Sequence, residues 1–369
     1  VARFAPLSDL SDNKSSKKGA IMSKPYRVIQ WATGTVGKVS LRHIIENPAY
    51  ELAGVLVYSA DKDGKDAGDI VGLPKTGILA TTDIEKIIVT EADAVHFAPQ
   101  LQDIDIICRL LRSGKNVVAT NGPFYPTENN RETVAKLEAA AKDGGVSFHG
   151  CGIHPGFIGD IMPMTLTRLQ NRIDKIEVFE IADKLKSPSV YIEFMGFGQT
   201  PEELASKPNV MTGGMVIFAE SMALVVEGLG KKIEKLTERL EIALAKNDIH
   251  YDGGVLKKGT VAGQHFEWTA WVDGKPFMLF HLYYFLGNDM EPNWNLGESR
   301  HRILIEGDPS IELTLQSAKD ANGDRHFLGI IWTALLGNTA IAAVIEAAPG
   351  IVTHFDLGVV RPRGLIRPH

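Results

Sequence analysis

The sequence predicts an α/β protein: a Rossmann-type doubly wound parallel sheet, followed by a second, α+β domain on a largely antiparallel sheet. Three observations predict it. From Tyr26 to Gly150, short apolar runs alternate with amphipathic helical stretches, as in a parallel sheet covered on both faces. A glycine-bearing turn, Ala32-Thr33-Gly34-Thr35-Val36-Gly37, joins the first strand to the first helix. After Cys151 the pattern changes to long strands, two of them joined by the hairpin turn Asp273-Gly274-Lys275.

In chain order, residues 1–24 are polar and aperiodic and read as a disordered leader, with Met22 placed as a start would be. Arg27 to Ala32 is a buried strand, Val36 to Asn47 a helix stopped by Pro48, and Glu51 to Ser59 a second strand. Gly77 to Thr82 reads as a short third strand and Ala92 to Ala98 as a fourth. A helix over Asp103–Ser113, a strand at Asn116–Thr120, a helix over Arg131–Lys142 and a strand at Val146–Gly150 complete residues 25–150 as a dinucleotide-binding domain. Residues 151–329 read as the substrate and dimerisation domain. Its long strands are Ile173–Asp183, Thr260–Val272, Pro276–Gly287 and Arg300–Gln316, with a Met- and Val-rich helix at Met211–Gly228. Lys231–Lys246 fits a helix through Ile233, Leu236, Leu240 and Leu244, and equally a strand through Leu240, Ile242 and Leu244. Ile330–Ala348 is a last apolar helix.

The 369 residues suffice for about two domains, and 39 Lys+Arg against 45 Asp+Glu give a net charge of −6. That balance argues against a nucleic-acid or anionic-membrane binder. Two cysteines, Cys108 and Cys151, exclude a disulfide scaffold and a cysteine-built zinc site. No apolar run is long enough to span a bilayer and no signal peptide precedes the first domain, so a cytoplasmic protein is expected.

The turn after the first strand is the strongest chemical signal. Gly34 would let the backbone approach a pyrophosphate and Gly37 would let the helix pack on the strand, while Thr33, Thr35 and Val36 supply the remaining cradle. Ala32 stands where the first glycine of the fingerprint belongs. The second strand ends Val57-Tyr58-Ser59-Ala60, without the carboxylate that binds the ribose of NAD, and Lys62 and Lys65 follow. Ser59 and the two lysines suit a 2′-phosphate, so NADP is expected, with NAD possible. Ligands sit beyond the carboxyl ends of such strands, which points to Ala98, Pro99, Thr120, Asn121, Gly152 and Pro155.

The N-terminal region resembles the dihydrodipicolinate reductase N-terminal domain. Nearly the whole chain from Tyr26 resembles the 2,4-diaminopentanoate dehydrogenase and native amine dehydrogenase family. The resemblance rests on Trp31 to Gly37, Tyr58-Ser59 through Gly64-Lys65-Asp66-Ala67-Gly68, and Gly152-Ile153-His154-Pro155-Gly156-Phe157-Ile158-Gly159-Asp160. Gly307-Asp308-Pro309-Ser310 and Ala347-Ala348-Pro349-Gly350-Ile351-Val352-Thr353 carry it further, in the family's order. It implies an NAD(P)-dependent oxidoreductase that interconverts an imine and an amine, a homodimer with its active site between two domains. It also implies that the last helix returns to the dinucleotide-binding domain, within 330–369, where Asn338 is counted with the cofactor residues. Two departures stand out. The His-His-x-x-Lys motif of the lysine-pathway reductases is missing, and Thr120-Asn121-Gly122-Pro123-Phe124-Tyr125 has no acid where amine dehydrogenases of this family carry a catalytic glutamate. A cofactor-binding sensor that has lost catalysis, or a ketone reductase independent of ammonia, would also fit that loss.

His154 is the leading acid–base candidate, with Tyr125 and Asn121 beside it as further catalytic candidates. His265, Glu267, Trp268 and Trp271 on one strand, and Phe277, Phe280, His281, Tyr283, Tyr284 and Phe285 on its neighbour, read as pocket, core or interface depending on register. Without helical His-x-x-x-His spacing, no metal is expected.

Overall fold

The structure is a computed structural model of the chain and describes residues 24–187, 189–206, 214–323 and 325–366. The expected leader lies outside the described residues apart from Lys24. Strands β1 (Tyr26–Trp31), β2 (Tyr50–Leu56), β3 (Ala94–Phe97), β4 (Asn116–Ala119) and β5 (Ser147–Gly150) alternate with helices α1 (Thr35–Glu46), α2 (Ala67–Val71), α3 (Ile84–Val89), α4 (Ile104–Arg112) and α5 (Arg131–Gly144). The strands are short because each is buried on both faces and needs only four to seven residues to cross the core. α4 shows the local logic: Asp103 caps it by accepting from the Ile106 N–H at 3.0 Å, and Ile107, Leu110 and Leu111 form its buried stripe.

Beyond β5 come α6 (Met162–Thr167), β6 (Arg172–Asp183), α7 (Ser189–Phe194), α8 (Pro201–Ser206), α9 (Gly214–Gly228), β7 (Lys235–Ala245), β8 (Ile249–Tyr251) and β9 (Gly254–Leu256). Then follow β10 (Val261–Val272), β11 (Lys275–Phe285), β12 (Met290–Glu291), β13 (Arg300–Asp308), β14 (Ile311–Leu315), α10 (Gly329–Ile345), β15 (Gly350–Ile351) and α11 (His354–Leu357). The first sheet runs β15-β5-β4-β3-β1-β2, all parallel. The second runs β12-β7-β10-β11-β6-β13-β14 and is antiparallel except where β11 meets β6. After the second sheet the chain returns to the first. α10 packs on α1, β3 and β4, and β15 adds a strand beside β5.

Three expectations change. Gly77 to Thr82 makes only isolated bridges, Leu56 to Thr81 and Asp66 to Leu79: Ala80 and Ile78 pack on the core with Leu41 and Val55, but Leu79 faces solvent, so the segment is anchored on one side. Arg300–Gln316 is two strands, since Pro309 lacks the N–H that would continue the ladder and the chain folds back at Asp308-Pro309-Ser310. The ambiguous Lys231–Lys246 segment is strand β7, paired antiparallel with β10. Of the helix expected at Met211–Gly228, the part from Gly214 is present, and residues 211–213 lie outside the described residues.

The register of the second sheet decides which residues share a face. Phe266 lies opposite Leu282, Trp268 opposite Phe280, and Glu180 opposite both Leu282 and His301. These point inward with Val178 and Ile303, and α9 lies across them, its Phe218 stacked on Trp268 at 4.6 Å. His265, Glu267 and His281 point to the other face, so Trp268 and His281 do not share one.

Candidate functional site

The turn after β1 is built to leave donors free. Gly34 caps α1 without any side-chain hydrogen bond, so the first N–H groups of this twelve-residue helix are open. A Cβ at Gly34 would meet nothing within 4 Å, whereas one at Gly37 would run into the Ala32 carbonyl oxygen. Ala32 sits at φ 71°, the left-handed region, which explains why this position of the fingerprint suits glycine. Gln30 holds the turn from below: its Nε2 donates to the carbonyls of Trp31 at 3.1 Å and Ala32 at 2.9 Å. These residues fit a dinucleotide pyrophosphate.

The adenosine side is mixed in charge. Lys62 Nζ donates to the Thr33 carbonyl and hydroxyl at 3.1 and 3.3 Å, lying over the turn. Lys65 pairs loosely with Asp61 at 3.9 Å, and Ser59 donates to the same carboxylate. Further along the strand ends, Ala98 is buried, Thr120 is half-buried, and Asn121 donates to the Pro99 carbonyl at 3.1 Å. The Asn121 carboxamide oxygen is buried without a hydrogen-bond partner among the described residues. Tyr58, Pro99 and Gln102 help line a cavity of about 670 Å³ there. Asn338 is elsewhere: it is fully buried between α10 and α1, its carboxamide 2.8 Å from Ser40 Oγ and its carbonyl accepting from Tyr50 at 2.6 Å. It staples the returning helix to α1, on the same Ser40 hydroxyl that donates to Gln30.

From β5 the chain runs through Gly152 into the inward face of the second sheet. The Ile153 N–H donates to Thr333 of α10 at 3.4 Å, and two residues beyond Gly152 the His154 ring is fully buried. Its Nδ1 lies 3.0 Å from Glu180 Oε2, and its edges meet Phe218 and Phe280 at 4.9 and 4.7 Å. Its Nε2 has no hydrogen-bond partner among the described residues and is covered by Gly159, where a Cβ would come within 3.3 Å. Pro155 is buried in the same loop.

Around Glu180 gather Lys184, His301, Tyr191 and Tyr284. Burial alone would raise the Glu180 carboxyl, but the His154 hydrogen bond and the neighbouring His301 and Lys184 bring it down to about 2. Burial pushes the Lys184 ammonium down to about 8, with Glu180 and Asp183 holding it from falling further. Its Nζ lies 4.4 Å from the centre of the Phe327 ring, 4.6 Å from Tyr284 and 5.4 Å from Tyr191, a cage of aromatic faces. His301 is pushed by burial to about 4, so it is neutral at physiological pH, and neither ring nitrogen has a hydrogen-bond partner among the described residues. A cavity of about 440 Å³ reaches this group, lined by Lys184, Tyr191, Ser299, Arg325, Phe327 and Ile331. The cluster therefore offers a cation that can release a proton near neutrality, a fixed counter-charge, and an apolar wall.

Tyr125 lies apart. Its phenol donates to Glu227 at 2.9 Å, and burial together with that carboxylate pushes it up to about 12. The loop that lacks an acid does meet one from α9: Glu220 accepts from the Phe124 N–H and from Asn130 Nδ2, both at 2.7 Å. Burial raises the Glu220 carboxyl against those two hydrogen bonds. With both oxygens occupied, Glu220 fixes the loop.

Glu180, Lys184, His301 and Glu220 escaped the sequence reading. Glu180 did leave a signal, as a charged residue continuing the inward row Ile176, Val178 of β6. The others carry none.

Residues 157–366 match the family described as the 2,4-diaminopentanoate dehydrogenase C-terminal domain. The chain is similar to an amine dehydrogenase of Streptomyces virginiae, 28% identical over 351 residues that cover 89% of this chain and 95% of that one. It is 27% identical over 240 residues to a 2,4-diaminopentanoate dehydrogenase of Acetoanaerobium sticklandii, 64% of each chain. Among solved structures, that of amine dehydrogenase from Mycobacterium smegmatis shares the fold, with a TM-score of 0.77 at 20% identity over 92% of this chain and 98% of that one.

Proposed function

This chain belongs to the 2,4-diaminopentanoate dehydrogenase family, and on that premise we propose an NADP-preferring oxidoreductase that reduces a small, largely apolar ketone or imine, or runs the reverse oxidation. In this reading residues 25–150 with α10 hold the cofactor, and residues 151–329 hold the substrate and the contact to a second subunit.

NADPH supplies the hydride. The chain's own residues do the rest. The open start of α1 binds the pyrophosphate, and Lys62 takes the 2′-phosphate. The cavity beside Lys184 takes the substrate's apolar body against Phe327 and Tyr191. The Lys184 ammonium would hold the proton that the carbonyl oxygen or imine nitrogen takes up as the bound cofactor's hydride reaches the neighbouring carbon, and would be left as the neutral amine, so charge balances. Glu180 stabilises the ammonium before transfer, and His154 is a positioning residue that holds Glu180 in place.

The observation that carries this reading is the buried Glu180–Lys184 group beside a cavity, joined through His154 to the loop that leaves β5. Burying charge costs stability, and this arrangement has the perturbed lysine that proton transfer requires. The test is NADPH oxidation with a panel of small ketones and aldehydes, with and without ammonia, in wild type and Lys184→Met. Ammonia-dependent turnover lost in Lys184→Met supports the reading. Turnover without ammonia moves the substrate class to ketones, as the acid-free loop at Asn121-Gly122-Pro123 would favour. Tight NADPH binding with no turnover on any carbonyl refutes it and leaves a sensor.

A further inference from the structure

The outward face of the second sheet gathers a group that this chemistry does not use. His265, Glu267 and His281 come from the two strands of one hairpin, and one donor atom from each lies within 4.8 Å of the others. His265 Nε2 and His281 Nδ1 are 3.2 Å apart, and His281 Nδ1 is 3.7 Å from Glu267 Oε2. Donors bound tetrahedrally at zinc distances are separated by about 3.3–3.4 Å, so these spacings bracket those of a shared ion.

The second ring nitrogens face carboxylates. His265 Nδ1 is 3.2 Å from Glu241 Oε2, and His281 Nε2 is 3.5 Å from Glu177 Oε1. A neutral imidazole carries one N–H. With its Nδ1–H on Glu241, His265 presents its Nε2 lone pair toward His281 Nδ1 across 3.2 Å, and His281 Nε2 is buried with no hydrogen bond among the described residues, so that ring can take the tautomer whose Nδ1 lone pair faces a shared cation. Carboxylates behind ligating histidines are the usual outer shell of a metal site. The rings are held flat for this: Tyr283 stacks on His265 at 3.9 Å and Phe179 on His281 at 4.6 Å. Both histidines are more than nine-tenths buried, while Glu267 is half-buried and also meets Arg239 at 3.0 Å. Lys175 lies 3.1 Å from Glu177, and Arg302, over the Phe179 ring at 5.5 Å, also faces that carboxylate.

We propose that His265, Glu267 and His281 bind one divalent transition-metal ion of the zinc type, with water in the fourth position. Imidazole and carboxylate donors suit zinc, nickel and copper rather than magnesium or calcium. The ion lies on the opposite side of the sheet from Glu180 and pins β10 to β11.

The experiment uses the full chain without a polyhistidine tag, stripped by a chelator and desalted, then titrated with Zn²⁺ against a chromophoric competitor and separately with Co²⁺. Wild type should take up one equivalent and give the visible absorption of Co²⁺ held by nitrogen and oxygen donors. His265→Gln and His281→Gln should abolish both signals, and Glu241→Gln, a surface change behind the ligand, should weaken Zn²⁺ binding by about 10–100-fold. No equimolar uptake by wild type overturns the proposal. So does uptake unchanged in His281→Gln or Glu241→Gln, since the ion would then lie elsewhere, such as at His149 and His354.

Discussion

Replacing Glu180 by glutamine removes a charge from the centre of the second sheet while keeping its shape. The carboxyl is buried and sits at about 2 against an ordinary value of 4.5, held down by His154, His301 and Lys184 despite its burial. A depression of that size corresponds to about 3 kcal/mol of stabilisation of the charged form, at roughly 1.4 kcal/mol per unit. Removing one partner of a buried pair costs about 3–5 kcal/mol in general. Glutamine still offers His154 an acceptor, so the lower end, about 3 kcal/mol, is expected at neutral pH. The sign follows from the direction of the shift. A lowered carboxyl contributes stability that is complete above 4.5 and is lost as pH falls toward 2, so the gap between wild type and Glu180→Gln should hold at about pH 5–7 and shrink by about 1 kcal/mol near pH 3.5. Urea unfolding followed by tryptophan fluorescence reads it, because Trp268 lies on the same face. A loss below about 1 kcal/mol at neutral pH, or a gap that does not change with pH, would refute the view that Glu180 is a charged, paired group.

Three further outcomes follow from the cofactor turn. Lys62→Ala should weaken NADP binding about tenfold and NAD binding much less, measured by titrating both, because one charge-assisted contact to the 2′-phosphate is lost. Gly37→Ala must push α1 away from the Ala32 carbonyl, so both thermal stability and cofactor affinity should fall together; unchanged affinity would mean the turn does not hold phosphate. Ala32→Gly relieves a left-handed alanine and should stabilise the fold by about 1 kcal/mol in the same urea assay.

What the sequence revealed was local. Ala32 to Gly37 could be read because a strand, a tight turn and a helix start lie within a dozen residues, and the glycines are required by backbone geometry at that spot. The second sheet was legible as strands but not as faces. β10 and β11 have a register irregularity between Ala270 and Trp271, and a one-residue shift moves every following side chain to the other face. That single feature places His281 opposite Glu267 and Phe280 opposite Trp268, and no periodicity announces it. Lys184 was silent for a different reason. Its shifted titration depends on Glu180 along the same strand edge and on Tyr284 and Phe327, contributed by parts of the chain about 100 and 140 residues away. His154 was visible as a histidine at the end of a Rossmann strand, yet its ring is sealed by Gly159 and Phe218, and the cavity opens on Lys184 instead.

The most direct test of the account is the pH dependence of kcat/KM, measured in both directions with the best substrate of the carbonyl panel and its reduced product. If the Lys184 ammonium gives the proton, reduction should decline as pH rises through about 8, and oxidation should increase over the same interval, since it needs the neutral amine. In Lys184→Met that inflection should vanish and both rates fall by about 10²–10⁴-fold, with NADPH affinity unchanged. A Lys184→Met enzyme that keeps its rate within tenfold of wild type, and keeps the inflection, would contradict it.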